Sequence, residues 1–361
     1  QYDEGDIEIL SNSITVRATG TNAPILDGDD GNEDHAFETY TSGNVFLGLT
    51  FRNYDVSPIN PYLTAGRDFI LSGCLAYENG TQSTFTQKIG GGGNSVVQDC
   101  KFVSEGGPAF TVVTAGSYVL FNNCVIATNK PGTHAITSEQ AYTRVTASFC
   151  TFIGSGKNDS NGRSYHLVNK VYKVINCIVT GSGDGINANQ STYNLVHVGG
   201  DAFITWTSDD YDGSSRSAGT GEITGDPKFV SGSDPGKTST TTNGNLDFGT
   251  QDFSLSTSTP AHAAGIDYNG VTLDILEVTR ADPPTLGAYE FTQIWTTETA
   301  EPRMRFDPDN LTINTYVNVR NNQKYRILKD PKQTPFSRAV KGPGSLRGRT
   351  RPYKVTSADD T

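Results

Sequence analysis

The sequence predicts an all-β fold, a right-handed parallel β-helix whose coils each take about 25 residues. Five cysteines recur at spacings of 26, 24, 26 and 27 residues, in the contexts LSGCLAY, VQDCKFV, FNNCVIA, ASFCTFI and VINCIVT. Each repeat offers two or three short β-prone runs broken by Gly, Asn, Asp or Ser, and no repeat holds an amphipathic helix. Because a fixed period is the signature of a solenoid, the absence of helical segments favours a β-helix over the helical repeats.

The repeat predicts one inward position that successive coils share. From the N-terminal side, that position holds Ile25, Leu49, Cys74, Cys100, Cys124, Cys150 and Cys177. Neighbouring coils would lie about 4.8 Å apart, which places adjacent cysteines within reach of a disulfide. Five is an odd number and Leu and Ile fill the same position, so we expect reduced, buried thiols, with one or two disulfides as the alternative. No His stands at a fixed offset from these cysteines, which argues against a catalytic thiol.

The charge is divided unevenly along the chain. Residues 301–361 hold 13 Lys/Arg and 6 Asp/Glu, a net of +7, so the overall −11 leaves −18 on residues 1–300. An acidic body repels phosphate backbones, which argues against nucleic acid as its partner, while the basic end could meet an acidic protein surface or nucleic acid. No apolar run approaches the roughly 18 residues needed to span a bilayer, so we expect no membrane segment. The opening residues, Gln1–Ile9, read as the middle of a strand-and-turn unit, from which we expect that residues upstream were cleaved or lie outside this sequence.

From about residue 176 the sequence resembles the ends of pectate-lyase-like right-handed β-helix repeat proteins. The matching segments are NCIVTGSG (176–183), STYNLV (191–196), GDPKFV (225–230), DFSL (252–255), TPAHAAG (259–265) and LGAYEF (286–291). The resemblance covers about residues 1–291 and implies regular rungs over 1–204 and irregular closing rungs over 205–291. It implies little about activity, because this fold hosts lyases, hydrolases, adhesins and phage proteins. The chain departs from the family pattern in having Thr285-Leu286 before GAYE, and it continues for seventy residues beyond that motif.

A Gly-punctuated acidic loop, DGDDGNED, directly follows a predicted strand. Its carboxylates belong to Asp27, Asp29, Asp30, Glu33 and Asp34. Carboxylates alternating around glycines can supply oxygen ligands to Ca²⁺, so Asp27, Asp29, Asp30 and Asp34 are candidate metal ligands. The alternative is a solvated acidic turn. We expect no other cofactor.

Polysaccharide hydrolysis on this fold would require two carboxylates that flank the sugar bond. Glu78 and Asp99 stand near the repeated cysteines and Asp184 lies in GSGDG, but solvated turn acids are the simpler interpretation of each. The ordered motifs of the pectin hydrolases are absent, so no catalytic residue is assigned and enzymatic activity stays an open alternative. The five histidines lack metal-ligand spacing and are expected at the surface or in turns; they are His35, His134, His166, His197 and His262.

The last segment, residues 292–361, is predicted to be a basic, extended C-terminal arm that orders itself against another chain. Short β-prone pieces at Leu311–Val319 and Lys324–Leu328 precede a Pro-, Gly- and Arg-rich stretch that cannot bury much apolar surface. A disordered tail is the alternative. The candidate assembly residues are its arginines Arg303, Arg305, Arg326, Arg347, Arg349 and Arg351.

These observations favour a structural protein over an enzyme. The resemblance to β-helical phage proteins implies a virion component, a capsid decoration or cement protein or a tail part, that forms a homotrimer and contacts other virion proteins through the arm. The alternative is a secreted or tailspike-type protein that binds or degrades a polysaccharide, as a lyase or a glycoside hydrolase. Either function implies a virion or extracellular location.

Overall fold

The computed structural model describes most of residues 7–291 and three strands between residues 325 and 356. Within the first range, the residues outside the description are 12, 19–24, 29–34, 53, 55–56, 62–68, 78–86, 90–93, 105–106, 113–117, 129–132, 139–143, 155–165, 182, 206–213 and 231–252. The chain divides into two compact units, Gln1–Phe291 and Thr292–Thr361. The described residues form strands and turns, and none belongs to a helix long and apolar enough to cross a membrane.

The first unit is built from short strands. In chain order they are β1 (Ile7–Ile9), β2 (Thr15–Arg17), β3 (Ile25–Asp27), β4 (Phe37–Thr39), β5 (Asn44–Leu47), β6 (Thr50–Arg52), β7 (Ile59–Pro61), β8 (Phe69–Ser72), β9 (Leu75–Tyr77), β10 (Gln87–Ile89), β11 (Asn94–Gln98), β12 (Lys101–Ser104), β13 (Phe110–Val112), β14 (Tyr118–Asn122), β15 (Val125–Thr128), β16 (Ile136–Ser138), β17 (Arg144–Ser148), β18 (Thr151–Gly154), β19 (His166–Ile175), β20 (Ile178–Gly181), β21 (Asp184–Thr192), β22 (Leu195–Val198), β23 (Phe203–Ile204) and β24 (Ile223–Thr224).

The strands stack in parallel, each on the corresponding strand of the next coil. One sheet runs β1-β4-β7, a second joins twelve strands from β10 through β19 to β2, and a third runs β3-β6-β9-β12-β15-β18-β20-β22-β24. The second sheet covers two faces because the ten-residue β19 pairs with β16 through its first half and with β17 through its second. The predicted all-β solenoid of stacked parallel strands is therefore confirmed. The handedness of the coil stays a prediction.

Alternate residues of each strand point into the solenoid and stack on equivalent residues of the next coil. In the third sheet this inward row is fully or almost fully buried and consists of Phe51, Ala76, Phe102, Ile126, Phe152, Val179 and Val196. Aromatic rings from different faces meet across the interior, with the ring centroids of Phe102 and Phe110 at 4.6 Å and those of Phe110 and Phe121 at 5.1 Å. The core is thus a narrow column that runs along the coil axis.

The predicted ladder of repeated residues is present and lies at the start of the third sheet. Leu49 and the five cysteines are buried, and every cysteine is a free thiol, which confirms the expectation of reduced thiols. Ile25 does not belong to the ladder, because it pairs with Thr50, one residue beyond Leu49, and its side chain is exposed. The error is a shift of one residue, and such a shift turns a strand's side chains to the opposite face.

Beyond Cys177 the ladder continues with polar residues. The N–H of Leu195 donates to the carbonyl of Cys177, and the N–H of Ile223 donates to the carbonyl of Asn194, so Asn194 and then Glu222 follow Cys177 in the ladder. Both side chains are buried. The apolar ladder therefore ends in two polar residues at the C-terminal end of the solenoid.

The segment Phe253–Phe291, here called the closing segment, packs on the outside of the third sheet. Phe253, Ala288 and Tyr289 contact outward residues of the middle coils such as Val125, while Leu255, Ala261 and Leu286 contact Ile178 and Leu195 in later coils. Its described backbone makes isolated antiparallel bridges, Phe229 with Leu255 and Leu273 with Thr279, in place of a parallel strand. Of the motifs that resemble the β-helix family, TPAHAAG and LGAYEF thus lie in a layer that covers the third sheet, whereas NCIVTGSG and STYNLV belong to strands of the solenoid itself.

The second unit contains a small antiparallel sheet. Its strands are β25 (Tyr325–Lys329), β26 (Arg338–Val340) and β27 (Tyr353–Thr356), with β25 in the centre. β25 falls on the predicted β-prone piece Lys324–Leu328, whereas Leu311–Val319 lies outside the described residues.

Candidate functional site

The candidate site lies along the turn that joins the second sheet to the third. In each coil, one residue with positive φ immediately precedes the ladder residue. These residues are Gly48, Gly73, Asp99, Asn123, Phe149, Asn176, Tyr193 and Gly221. Gly, Asn and Asp adopt this left-handed conformation most readily, which explains six of the eight. Gly, Asn or Asp precedes four of the five cysteines, and this sequence signal is the one from which a row of identical turns could have been predicted.

The thiols of the ladder cysteines form hydrogen bonds within this turn. Each one donates to the carbonyl two residues earlier; the Sγ to O distance is 3.1 Å from Cys100 to Gln98 and 3.2 Å from Cys124 to Asn122. The same carbonyls accept the N–H of the left-handed residue of the preceding coil, as Asp99 donates to Asn122 at 3.0 Å. Burial raises the pKa of the Cys124 thiol well above its usual range. A small apolar side chain with a weak donor suits this position, and these thiols are structural.

A row of polar side chains follows the outer side of the turn. Gln98 Nε2 donates to Ser72 Oγ at 3.2 Å, and Ser148 Oγ donates to Asn122 Oδ1, so hydrogen bonds link neighbouring coils. These four residues end their strands in register. They present amides and hydroxyls at a spacing of about 4.8 Å along the coil.

The polar row forms one wall of a groove of about 770 Å³, and residues 269–277 of the closing segment form the other. Asp99 lies in this groove with Gln98, Asn122 and Lys101. Burial raises the pKa of the Asp99 carboxyl; a hydrogen bond from Asn123 at 3.1 Å opposes this effect, while Asp274 reinforces it. Asp99 lies in a turn, as expected, and its carboxyl is half-buried in the groove, where Asp274 also lies.

Asp274 lines the same groove but is fixed by backbone donors. Its carboxylate accepts the N–H groups of Leu276, Val278 and Glu290, each at 2.8 Å. Three such donors hold the carboxylate in one orientation. The groove therefore contains one carboxylate that backbone donors hold in place, on Asp274, and one carboxyl, on Asp99, whose pKa burial raises.

Arg280 anchors the wall of the groove to the solenoid. Its side chain is 2% exposed and its guanidinium lies 4.0 Å from the centre of the Phe149 ring. Nη2 donates to Asn123 Oδ1 at 2.8 Å, and Nη1 lies 3.5 Å from the Glu290 carboxylate. Burial lowers the pKa of Arg280 to about 10, although Glu290 and Asp274 oppose the shift. The Arg280 cation over the aromatic ring stabilises the packing of Phe149, whose backbone has the left-handed conformation.

A second polar cluster lies on the face of the solenoid that β16, the first half of β19 and β21 form. His134 Nδ1 donates to the carbonyl of His166 at 2.6 Å, and His166 Nε2 lies 3.9 Å from Asp184. Asn187 Nδ2 donates to Asn169 Oδ1 at 3.0 Å within the same cluster. Burial raises the pKa of Asp184, while the N–H of Asp201 and the His166 ring oppose the shift. Asp184 is thus partly buried among hydrogen-bonded groups, unlike the solvated acid expected.

The histidines divide into two groups. His262 is exposed and packs edge-on against Phe291 with ring centroids at 4.8 Å, and His197 is half-buried. The other three are buried: His35 and His134 lie outside strands, shortly before β4 and β16, while His166 begins β19, where the expectation of a surface or turn position is wrong. His35 Nδ1 donates to the carbonyl of Ser57 at 2.7 Å. The rings of His35 and His134 thus satisfy backbone carbonyls, a role that sequence spacing does not reveal.

Of the predicted calcium ligands, the structure describes Asp27 alone. Its buried carboxylate pairs with Arg52, whose Nε donates to Oδ2 at 3.1 Å. This cation competes with a metal ion for the carboxylate. Asp29, Asp30 and Asp34 lie outside the described residues, as do Glu33 and Glu78. Where the structure describes side chains, no three His, Cys, Asp or Glu residues converge as a metal site.

The predicted assembly arginines cannot be placed as side chains. Arg326 lies in β25, with its backbone alone described. The others lie outside the described residues: Arg303, Arg305, Arg347, Arg349 and Arg351.

Comparison with protein-family models, with curated proteins and with solved structures gave no match.

Proposed function

We propose that this chain is a structural component of a virion-type assembly, in which the solenoid is a rigid body and the basic C-terminal unit joins copies. The observation that carries the proposal is the charge of the two parts, −18 on residues 1–300 and +7 on residues 301–361. Opposite charges on separate parts of one chain favour contact between the basic part of one copy and the acidic part of another. A homotrimer and contacts with other virion proteins belong to the same proposal.

The first unit has the properties of a rigid body. Its strands hydrogen-bond along the coil axis, its interior is a continuous buried column, and the closing segment fastens to several coils through Arg280 and Asn176. A rigid body of this kind can hold its partners at fixed positions, and this role requires no catalytic centre. This supports, at the level of mechanics, a decoration or tail role.

Light scattering after size-exclusion chromatography tests the proposal. The full chain should form oligomers that weaken as salt rises, since screening reduces attraction between surface charges. Changing Arg347 and Arg349 to Glu should dissociate them, whereas the matched pair Arg144→Glu and Lys228→Glu, which alters two cations of the solenoid, should not. Oligomers that persist in the first variant, or in a chain ending at Phe291, would contradict the role of the basic unit.

A second candidate function, glycan binding in the groove beside Asp99, is favoured by one observation. The groove combines a polar row of amides and hydroxyls with a readily protonated carboxyl and a fixed carboxylate, the kind of asymmetry that glycoside chemistry uses. Incubating the protein with a polysaccharide panel and assaying reducing ends and new unsaturated ends distinguishes hydrolase from lyase activity. Activity that is lost in Asp99→Asn but kept in Lys228→Glu would move the assignment to an enzyme.

A further inference from the structure

The groove beside Asp99 has the size and the surface of a binding site. Its volume of about 770 Å³ lies within the range of about 300–1,000 Å³ that is typical of ligand pockets. Leu273 and Leu276, which are 44% and 57% exposed, line the wall that faces the polar row. The groove thus offers hydrogen-bonding groups on one side and aliphatic groups on the other.

Hydrogen bonds fasten the two walls of the groove to each other. Asn123 Nδ2 donates to the carboxylate of Asp99 at 3.1 Å and to the carbonyl of Leu273 at 2.8 Å. Asp274, the next residue along the chain, accepts three backbone N–H groups. Because these contacts hold both walls, the groove is formed before a ligand enters it.

The residues that line the groove carry an excess of negative charge. Their carboxylates belong to Asp99, Asp274 and Glu277. Lys101 is the single cation among the lining residues, all of which the structure describes. The groove therefore attracts cations and repels anions such as uronates.

The charges behind the wall do not reverse this excess. Arg280 Nη1 lies 3.5 Å from the Glu290 carboxylate, and these two buried charges offset each other. Glu277 is exposed and Asp99 is half-buried, so a ligand can reach both carboxyl groups. Burial and Asp274 raise the pKa of the Asp99 carboxyl, and a cation in the groove would lower it again.

The spacing of the polar row distinguishes between extended ligands. Gln98 and Asn122 end neighbouring strands in register, so equivalent amides recur about every 4.8 Å. Side chains on one side of an extended peptide recur at roughly 6.6 Å and fall out of step with this row. A chain of pyranose rings repeats its hydroxyls once per sugar, at a length close to that of one coil. Its C–H faces can also pack against the exposed leucines.

We propose that the groove binds a glycan with free amino groups, such as a glucosamine polymer, whose ammonium groups lie at Asp99 and Glu277. The sugar hydroxyls bond to the amides of Gln98 and Asn122. This inference rests on the glycan-binding candidate for the groove and adds the charge class of the ligand.

The test compares three oligosaccharides of equal length by isothermal titration calorimetry with the full chain. They are β-1,4-linked oligomers of glucosamine and of N-acetylglucosamine, and an oligomer of galacturonate. The glucosamine oligomer should bind at least about tenfold more tightly than its N-acetylated counterpart, because the two share one backbone and differ in charge. The galacturonate oligomer should bind more weakly still, and the affinity for glucosamine should fall as salt rises.

Two variants test the assigned carboxylates. Asp99→Asn and Glu277→Gln each replace a carboxylate with an amide of the same shape. Each should weaken binding of the glucosamine oligomer by about threefold to tenfold and leave the weaker binding of the N-acetylated oligomer unchanged. Asp201→Asn is the matched control, because it removes an exposed carboxylate outside the groove. Circular dichroism checks that each variant keeps its strands.

Different failures would have different meanings. Equal or tighter binding of the N-acetylated or galacturonate oligomer would overturn the charge assignment and leave glycan binding intact. Binding of none of the three at millimolar concentration would overturn both. Tighter binding of oligolysine would identify a basic peptide as the occupant, and an equal loss in Asp201→Asn would remove the site from the groove. Either result would also overturn the proposal.

Discussion

The two ends of the solenoid differ in chemistry although they belong to the same coil. At the N-terminal end the first described strands carry exposed aliphatic side chains and pair on one side only among the described residues, and the first ladder residue described is Leu49. At the C-terminal end Asn194 and Glu222 occupy the same ladder position and bind backbone and side-chain donors. The difference teaches that one position per coil accepts an apolar side chain in the middle of the stack and a hydrogen-bonded polar side chain at its C-terminal end.

The largest expected effect comes from the closing segment, which fastens to the middle and C-terminal coils. Arg280→Ala removes the hydrogen bond to Asn123 and the ring contact with Phe149 and leaves the buried Glu290 carboxylate without its cation. We expect unfolding free energy to fall by about 3–5 kcal/mol, measured by urea denaturation. Arg144→Ala, which removes an exposed arginine stacked on Tyr118, should cost less than about 1 kcal/mol. Equal losses in the two variants would show that the closing segment adds little to the solenoid.

The ionic layer at the C-terminal end should have the next largest effect. Glu222→Ala leaves Arg216 without its carboxylate and Ser191 without its acceptor, so we expect a loss of about 2–3 kcal/mol, discounted because Arg216 is partly exposed. Arg17→Ala at the N-terminal end should change stability by less than about 0.5 kcal/mol. If Arg17→Ala proved as destabilising as Glu222→Ala in thermal denaturation, the two ends would not differ in what their charged residues contribute to stability.

The smallest effect concerns pH and the groove. The folded-state pKa of Asp99 is raised, so the folded protein binds more protons than the unfolded chain, and stability from this group declines as pH rises from the unfolded value of 3.8 through the folded pKa. Asp99→Asn removes the cost of the buried charge and keeps a residue that suits the left-handed turn, as in Asn123. We expect a gain of a few tenths to about 1 kcal/mol at pH 7 that disappears below about pH 4. A gain of the same size at both pH values would mean that the carboxylate charge is not the cause.

The fold could be predicted because the ladder cysteines repeat at the period of one coil, and the inward side of a strand tolerates few residue types. The predicted register was wrong in the coil of Ile25. No cysteine marks the ladder position there, and Ile25, one residue away from that position, fits the pattern equally well. The buried histidines were missed for a related reason. His35 and His134 are held by carbonyls of the next coil, and hydrogen bonds across coils leave no mark in local sequence.

Asp99 was noticed in the sequence as an acid near a cysteine, but its partner Asp274 lies 175 residues later in the chain. Their common groove depends on how the closing segment runs back over the turns. The family-like motifs indicated that such a segment exists. They carry no information on its path, which is set by single contacts such as those of Arg280 with Asn123 and Phe149.

The path of the closing segment also has a mechanical consequence. The hydrogen bonds between coils run parallel to the coil axis, so tension along that axis would open them one coil at a time, in the manner of a zipper. The closing segment contacts coils from Lys101 to Asn176, through Tyr289 at the first and Ile266 at the second. The closing segment therefore bridges several coils alongside the hydrogen bonds that join them. It carries part of the tension that would otherwise act on the weakest set of these bonds.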